Sequence, residues 1–492
     1  MKSSLIAGLF TSFAGVIVAC GATVQSEPQP DPPVADAGPA PDANADAPTK
    51  PSSCSAPLVD PKCATQTPAP TTPAAVETFV KDNAIPLRCD GGGNEAVWDL
   101  RPLVDLYGDQ KIFMIGEVHG SNEIGIVSSL VFEELAAKKL VNVVAFELPM
   151  DLEPALQRYV DTGKDPMAEQ MIRSMATNMF GAILPKSARA LAAKGVALRV
   201  GAVDIPYDPA TPVAAIQEVA AKLTTQKDVV LATLPTNATP GNPADVQAAN
   251  AYFDHITSKK TEICAELSEA DCDRLVAMTH ALWCVVLSDD RGGSEQWFAR
   301  REQVIYYNMH AKMTAETDRM FLHMGAAHTN KLSFSAGSRM AKEWPLTKGR
   351  VFSVAPAYGD GSVIWYGGDM DLPGEPESIV SALGADAQPF FMSTTRPSAT
   401  CQANPIQDEP EQTVGVGGTR GEVYDGYIHY GKLTSERRPG DTKLSRAGAS
   451  PSDGARAASS LDATSARILA FRATIERRER EALTARGVGA RR

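Results

Sequence analysis

Four apolar runs punctuate the chain, and each gives way abruptly to carboxylates or histidines. Ile112, Phe113, Met114 and Ile115 form the first, which stops at Gly116 and is followed by Glu117, His119 and Glu123. Ile124, Val127, Leu130, Val131, Leu135 and Leu140 then recur mostly at three- and four-residue steps, which predicts an amphipathic helix over Glu123 to Leu140. The second run, from Val141, ends at Glu147, and the third, Val196 to Val203, runs into Asp204. The fourth starts at Met320, passes through His323 and turns at Gly325, Ala326 and Ala327 to reach His328.

Strand, helix and strand within about forty residues make a right-handed parallel βαβ unit the default. The expectation is therefore an α/β fold with a mainly parallel sheet flanked by helices. Its strands end on one edge, where open α/β sheets bind ligands, and Glu147 should lie beside Glu117 and His119. Leu152 to Lys194 reads as helical, and so does most of Thr211 to Glu302, a helical insertion broken at residues 234–245 and 288–295. Trp297 to Met313 reads as one long helix carrying Arg300, Arg301 and Asn308, with strands expected at Arg350 to Pro356 and Ser362 to Gly368.

The ends of the chain lack this patterning. Residues 1–20 carry an early Lys, an apolar stretch and small residues before Cys20, the form of a secretory signal and too short for a stable membrane span. Ile17, Val18, Ala19 and Cys20 resemble a loose bacterial lipobox, which makes Cys20 the candidate lipidation site; an ordinary signal peptide is the alternative. Residues 21–75, rich in Pro, Ala and Asp, read as a flexible spacer. The α/β domain is expected over residues 76–432, starting with a helix near Val76 to Ile85. Residues 433–492 read as a basic, weakly ordered tail with one helix at Ala463 to Arg486. Localisation at the cell envelope follows, with the membrane as a partner through the anchor.

A net charge of −12 gives no reason to expect a nucleic-acid partner. Export makes the cysteines beyond Cys20 candidates for disulfides; spacing suggests Cys54 with Cys63, Cys264 with Cys272 and Cys89 with Cys401, and does not decide among pairings.

The candidate chemistry lies at the strand ends: Glu117, His119, Glu147, Asp204, His323 and His328, with Arg301 facing them from a helix. An imidazole oriented by a carboxylate can take a proton from water, and an arginine can stabilise an oxyanion, which together support hydrolysis of an ester or amide. His119, Glu117, Glu147 and His328 could instead ligate a divalent metal such as Mn or Co. A G-x-S-x-G elbow, a P-loop and a Gly-x-Gly-x-x-Gly after a strand are all absent, which argues against a serine nucleophile and nucleotide chemistry.

Residues 116–123 (GEVHGSNE), 145–149 (AFELP), 201–206 (GAVDIP), 300–308 (RREQVIYYN) and 323–328 (HMGAAH), in that order, resemble the erythromycin esterase-like family over roughly residues 105–370. The wider resemblance is to the superfamily that includes haem-binding uptake proteins and Tiki/TraB-type proteins. It implies an α/β fold with a cleft at the strand ends and His119 as the base that activates water. Glu117 and Glu147 match acidic cleft positions, Arg301 and His328 would polarise the substrate carbonyl, and Glu123, Asp204 and His323 would contact substrate. Joined with the leader, which lies outside the resemblance, this implies an exported, lipid-anchored hydrolase that cleaves an ester or amide bond of a small molecule without a cofactor. Its alternatives are a metal-dependent hydrolase or protease of Tiki/TraB type, and a haem- or metal-binding surface lipoprotein. One residue separates Glu117 from His119, where macrolide esterases have two, and Ser128 and Ser129 stand where those esterases carry an arginine. The resemblance therefore extends to the fold and the cleft rather than to a macrolide substrate.

Overall fold

The computed structural model describes residues 62–90, 96–175, 183–287, 295–359, 361–365, 368–372, 389–411 and 418–435. Its centre is an eight-stranded sheet made of β1 (Ile85–Pro86), β2 (Ile112–Glu117), β3 (Val143–Pro149), β4 (Arg199–Asp204), β5 (Met320–Gly325), β6 (Val351–Ala357), β7 (Phe390–Ser393) and β8 (Gly426–His429). The order across the sheet is β1-β7-β8-β6-β2-β5-β3-β4. From β8 to β4 every pairing is parallel, and β7 is antiparallel to its neighbours β8 and β1. This is the mainly parallel α/β sheet expected.

The expected βαβ unit is present with one change of neighbour. Helix α1 (Asn122–Ala137) connects β2 to β3, but β5 lies between them, with Ile112 and Val143 both level with Met320. All three strands still end on one edge because the ladders are parallel and their registers aligned. The strands read as near-continuous apolar runs because helices cover both faces. On one face Phe113, Ile115, Val144, Phe146 and Phe321 pack with α1, α2 (Glu153–Thr162) and α3 (Ile183–Ala193). Each fully buried side chain of this size contributes about 1.5–3 kcal/mol.

Between β4 and β5 the chain forms the expected helical insertion: α4 (Ala210–Ala220), α5 (Pro243–Cys264) and α6 (Glu269–Val286), which build a core of their own around Ile216, Tyr252, Ile256 and Leu282. Helix α5 starts where Asn242 accepts the N–H groups of Ala244 and Asp245, with Pro243 opening the first turn. The long helix α7 (Glu295–Lys312) follows and closes the second face of the sheet, with Ile305, Met309 and Met313 packed on Met114, Ala145 and Leu322. Past β5 come the short turns α8 (Ala326–Thr329) and α9 (Ala336–Lys342). The expected strand after Tyr358 does form, but as a separate hairpin of Gly361–Trp365 with Gly368–Leu372.

The disulfides correct two of the spacing-based pairings. Cys63 bonds Cys401, not Cys54, and Cys401 is thereby taken from Cys89; Cys264–Cys272 is as expected. Proximity in sequence fails for Cys63 because the segment around Thr67 pairs with the chain at 401–403, Thr67 donating to Cys401 O and accepting from Ala403 N. Residues 433–435 join the edge of the fold, with Leu433 fully buried and bridged to Gly361. Cys20, most of the spacer and the helix expected at Ala463 to Arg486 lie outside the described residues. No described helix is long and apolar enough to cross a membrane.

Candidate functional site

Alternation along the strands decides which face each polar group serves. Phe113 and Ile115 point to the α1 face, and Glu117, next in that series, follows them; Phe321 does the same for His323. His323 Nε2 lies 2.8 Å from Glu117 Oε2 without hydrogen-bond alignment, and its Nδ1 has no hydrogen-bond partner among the described residues. On the other face Ala145 packs under α7, and Glu147 follows it towards Arg301.

That second cluster is the denser. Arg301 forks onto Asp204, Nε donating to Oδ1 at 2.8 Å and Nη2 to Oδ2 at 2.7 Å, and Nη2 also reaches Glu147 Oε1 at 2.5 Å. Glu147 Oε1 is 3.2 Å from His328 Nε2, and Oε2 accepts the Gly325 N–H at 2.7 Å. Behind His328 stands Glu302, fully buried, with one oxygen on His328 Nδ1 and the other accepting the Ala336 N–H at 2.6 Å.

His119 joins the two faces. Its Nδ1 bonds Glu117 Oε1 at 2.8 Å and its Nε2 stands 4.0 Å from Glu147 Oε2. The His119 side chain is 18% exposed, against 4–5% for Glu117, Glu147, His323 and His328, so His119 is the group of this set that meets solvent. The glycines around it leave little space for a side chain. A Cβ at Gly116 would meet Thr329 Oγ1 at 2.9 Å and Ala326 Cα at 3.0 Å, and one at Gly325 would meet Glu147 Oε2 at 3.3 Å and the His119 ring at 3.4 Å.

Charge and burial compete throughout. Burial opposes ionisation of Glu117, yet His323 and His119 outweigh it and hold the carboxyl at about 2. Glu147 is likewise kept ionised against burial by His328, Arg301 and His119. Burial lowers His119, but Glu117 and Glu147 overcome this and raise it above the usual imidazole value. His328 is buried too, and Glu302 with Glu147 pushes it up to about 10 against the Arg301 guanidinium, whose Nη1 stands 3.2 Å from Nε2.

No protein-family model matches the sequence, and no curated protein matches it at the sequence level. Solved structures do match the fold. A Bacillus cereus protein aligns over 75% of this chain and 100% of its own at 17% identity and a TM-score of 0.51. A succinoglycan biosynthesis protein covers 74% of this chain and 98% of its own at 12% identity and a TM-score of 0.54. An erythromycin esterase in its open conformation covers 70% and 97% at 12% identity and a TM-score of 0.51. The fold is shared with these proteins. At such identities the likeness says nothing more of the chemistry.

The expected site residues Glu117, His119, Glu147, Asp204, Arg301, His323 and His328 are thus brought together. Glu123 is placed differently: its carboxylate accepts from Thr434, N–H and hydroxyl, and so fastens residues 433–435 over the start of α1. Arg301 and His328 are engaged with Asp204, Glu147 and Glu302, which makes them the frame that holds Glu147. Two further residues escaped the sequence reading. Glu302 follows two arginines on a helix and reads as a solvated charge until the fold buries it. Tyr430, just past β8, is buried near Glu117 and Glu123, and burial together with those charges pushes its phenol up.

Proposed function

We propose that this protein is a hydrolase of the erythromycin esterase-like superfamily that cleaves an ester or amide bond with water activated by His119. The observation that carries this reading is the position of His119, bonded to Glu117 through Nδ1 while the more exposed ring presents Nε2 towards Glu147. Water held at Nε2 gives up its proton to the imidazole as its oxygen attacks the carbonyl carbon. Glu117 stabilises the resulting imidazolium, which returns the proton to the leaving group as the tetrahedral intermediate collapses. Such general base catalysis is worth about 10²–10⁴-fold. Arg301, bonded to both Asp204 and Glu147, holds in place the carboxylate that faces His119. A panel of small esters and amides, run with the native protein and His119→Asn, tests this; the absence of any native turnover that His119→Asn removes would overturn it.

Export and anchoring at Cys20 complete the proposal, supported by the leader pattern and by two disulfides, which suit an oxidising compartment. Cys20→Ala should release the protein from the membrane fraction and abolish incorporation of labelled fatty acid.

A second reading rests on the carboxylates. Glu117, His119 and Glu147 each offer one ligand atom, all within 4.8 Å of one another, a spacing that suits a divalent Mn or Co ion. Against it, Arg301 and His328 already neutralise Glu147. Elemental analysis and activity after chelation decide: stoichiometric metal with loss of activity on its removal would replace the metal-free mechanism.

A further inference from the structure

Phe334 is a large apolar side chain with 43% of its surface exposed, which no other large hydrophobic among the described residues matches. Its ring stands edge-on to Phe298 at 5.9 Å, and Phe298 stacks on the His328 imidazole at 5.3 Å with 22° between the planes. His328 in turn lies against Glu147, the carboxylate that faces His119. A chain of ring contacts therefore runs from solvent to His328, beside the carboxylate that faces His119.

The helix explains why it runs there. Phe298, Arg301, Glu302 and Ile305 recur at three- and four-residue steps on one face of α7. Ile305 packs on the sheet, and Arg301 and Glu302 meet the groups at the strand ends. Phe298 lies a further turn out, about 5.4 Å along the helix, and so stands beyond the sheet edge, over the His328 ring. Exposed apolar residues scattered singly need no explanation, whereas one continuous with a polar reactive site has the composition of a ligand pocket, apolar walls around a few fixed polar groups.

We infer that Phe298 and Phe334 form the subsite for an uncharged, apolar arm of the substrate, an aryl group above all, whose attached carbonyl lies at His119. The reaction at that carbonyl rests on the hydrolase reading; capture of the arm does not. Edge-to-face and offset ring contacts favour a planar group over a short polar one, by about 2- to 10-fold for each ring met.

Two measurements test this. The ratio of kcat/KM for ethyl phenylacetate to that for ethyl acetate should exceed about tenfold in the native protein and fall several-fold in Phe334→Ala. Binding of benzyl alcohol, followed by saturation-transfer NMR, should weaken in Phe334→Ala and persist in His119→Asn. If no ester is turned over while benzyl alcohol still binds through Phe334, the subsite stands and the hydrolase reading falls. If esters are hydrolysed with the same ratio in both proteins and Phe334→Ala leaves benzyl alcohol binding unchanged, the subsite is overturned.

Discussion

His119 Nε2 and Glu147 Oε2 face each other across 4.0 Å, from a loop at the end of β2 and from β3. The gap is too long for a hydrogen bond and suits one water bonded to both at about 2.8 Å, with an angle near 90° at its oxygen. Glu147 cannot close on His119, because Gly325, Arg301 and His328 hold its two oxygens from other directions.

Replacing His119 separates catalysis from stability. His119→Asn should lower kcat/KM by about 10²–10⁴-fold, the range for loss of a general base. The side chain is partly exposed, and asparagine keeps a donor for Glu117, so the thermal midpoint should stay within a few degrees. Differential scanning calorimetry beside the ester assay checks this; cooperative unfolding at a much lower temperature would make His119 a structural residue.

The pH dependence follows from the signs of the shifts. His119 is raised by its two carboxylates, so the acid limb of kcat/KM, where the base becomes protonated, should have its midpoint above the ordinary value of about 6.5. For stability, His328 at about 10 contributes below about 6.5, and that contribution is lost as pH rises towards 10. Glu117 at about 2 contributes above about 4.5, and its part is lost as pH falls towards 2. The midpoint for urea unfolding should therefore be greatest between about pH 4.5 and 6.5 and decline on both sides, a profile that urea titrations across this range would show or refute.

Glu302 is the buried counterweight of the site. Glu302→Ala leaves the His328 Nδ1 and the Ala336 N–H without this partner and should cost about 3–5 kcal/mol, as loss of one member of a buried pair does. Glu302→Gln keeps an acceptor and should fold, but it removes the charge that does most to raise His328. An NMR titration of the His328 ring should then find its midpoint well below that of the native protein; an unchanged midpoint would mean that Glu147 alone sets it.

The strand ends were legible in the sequence because each apolar run is long, β-rich and stopped by a polar group, so Glu117, Glu147 and Asp204 could be placed on one edge before any contact was known. The insertion of β5 between β2 and β3 was not legible: it is a pairing across some two hundred residues, and local periodicity carries no strand order. The same limit hid Cys63–Cys401. Glu302 and Phe298 were hidden for another reason. Both sit on a helix whose charges and aromatics surround its axis, so burial depends on which face α7 turns to the sheet, a matter of packing. Asn308 shows the converse: singled out on that helix, it is buried and donates to Val203 O, a structural tie between α7 and β4.

Gly325 offers the sharpest test of how closely the site is fitted. Its N–H donates to Glu147, and its missing side chain leaves room for both Glu147 and the His119 ring. The strand conformation is one that alanine adopts readily, so Gly325→Ala carries no backbone penalty, and a Cβ at 3.3–3.4 Å asks only a few tenths of an ångström from its neighbours. Yielding moves the two groups that flank this gap, and a misplacement near 1 Å is worth about 10²-fold in rate. Gly325→Ala should therefore fold with a loss of at most about 1–2 kcal/mol and lose kcat at least tenfold with little change in KM. Native kcat in this variant, with the fold intact, would show that the space between His119 and Glu147 is not where the reaction occurs.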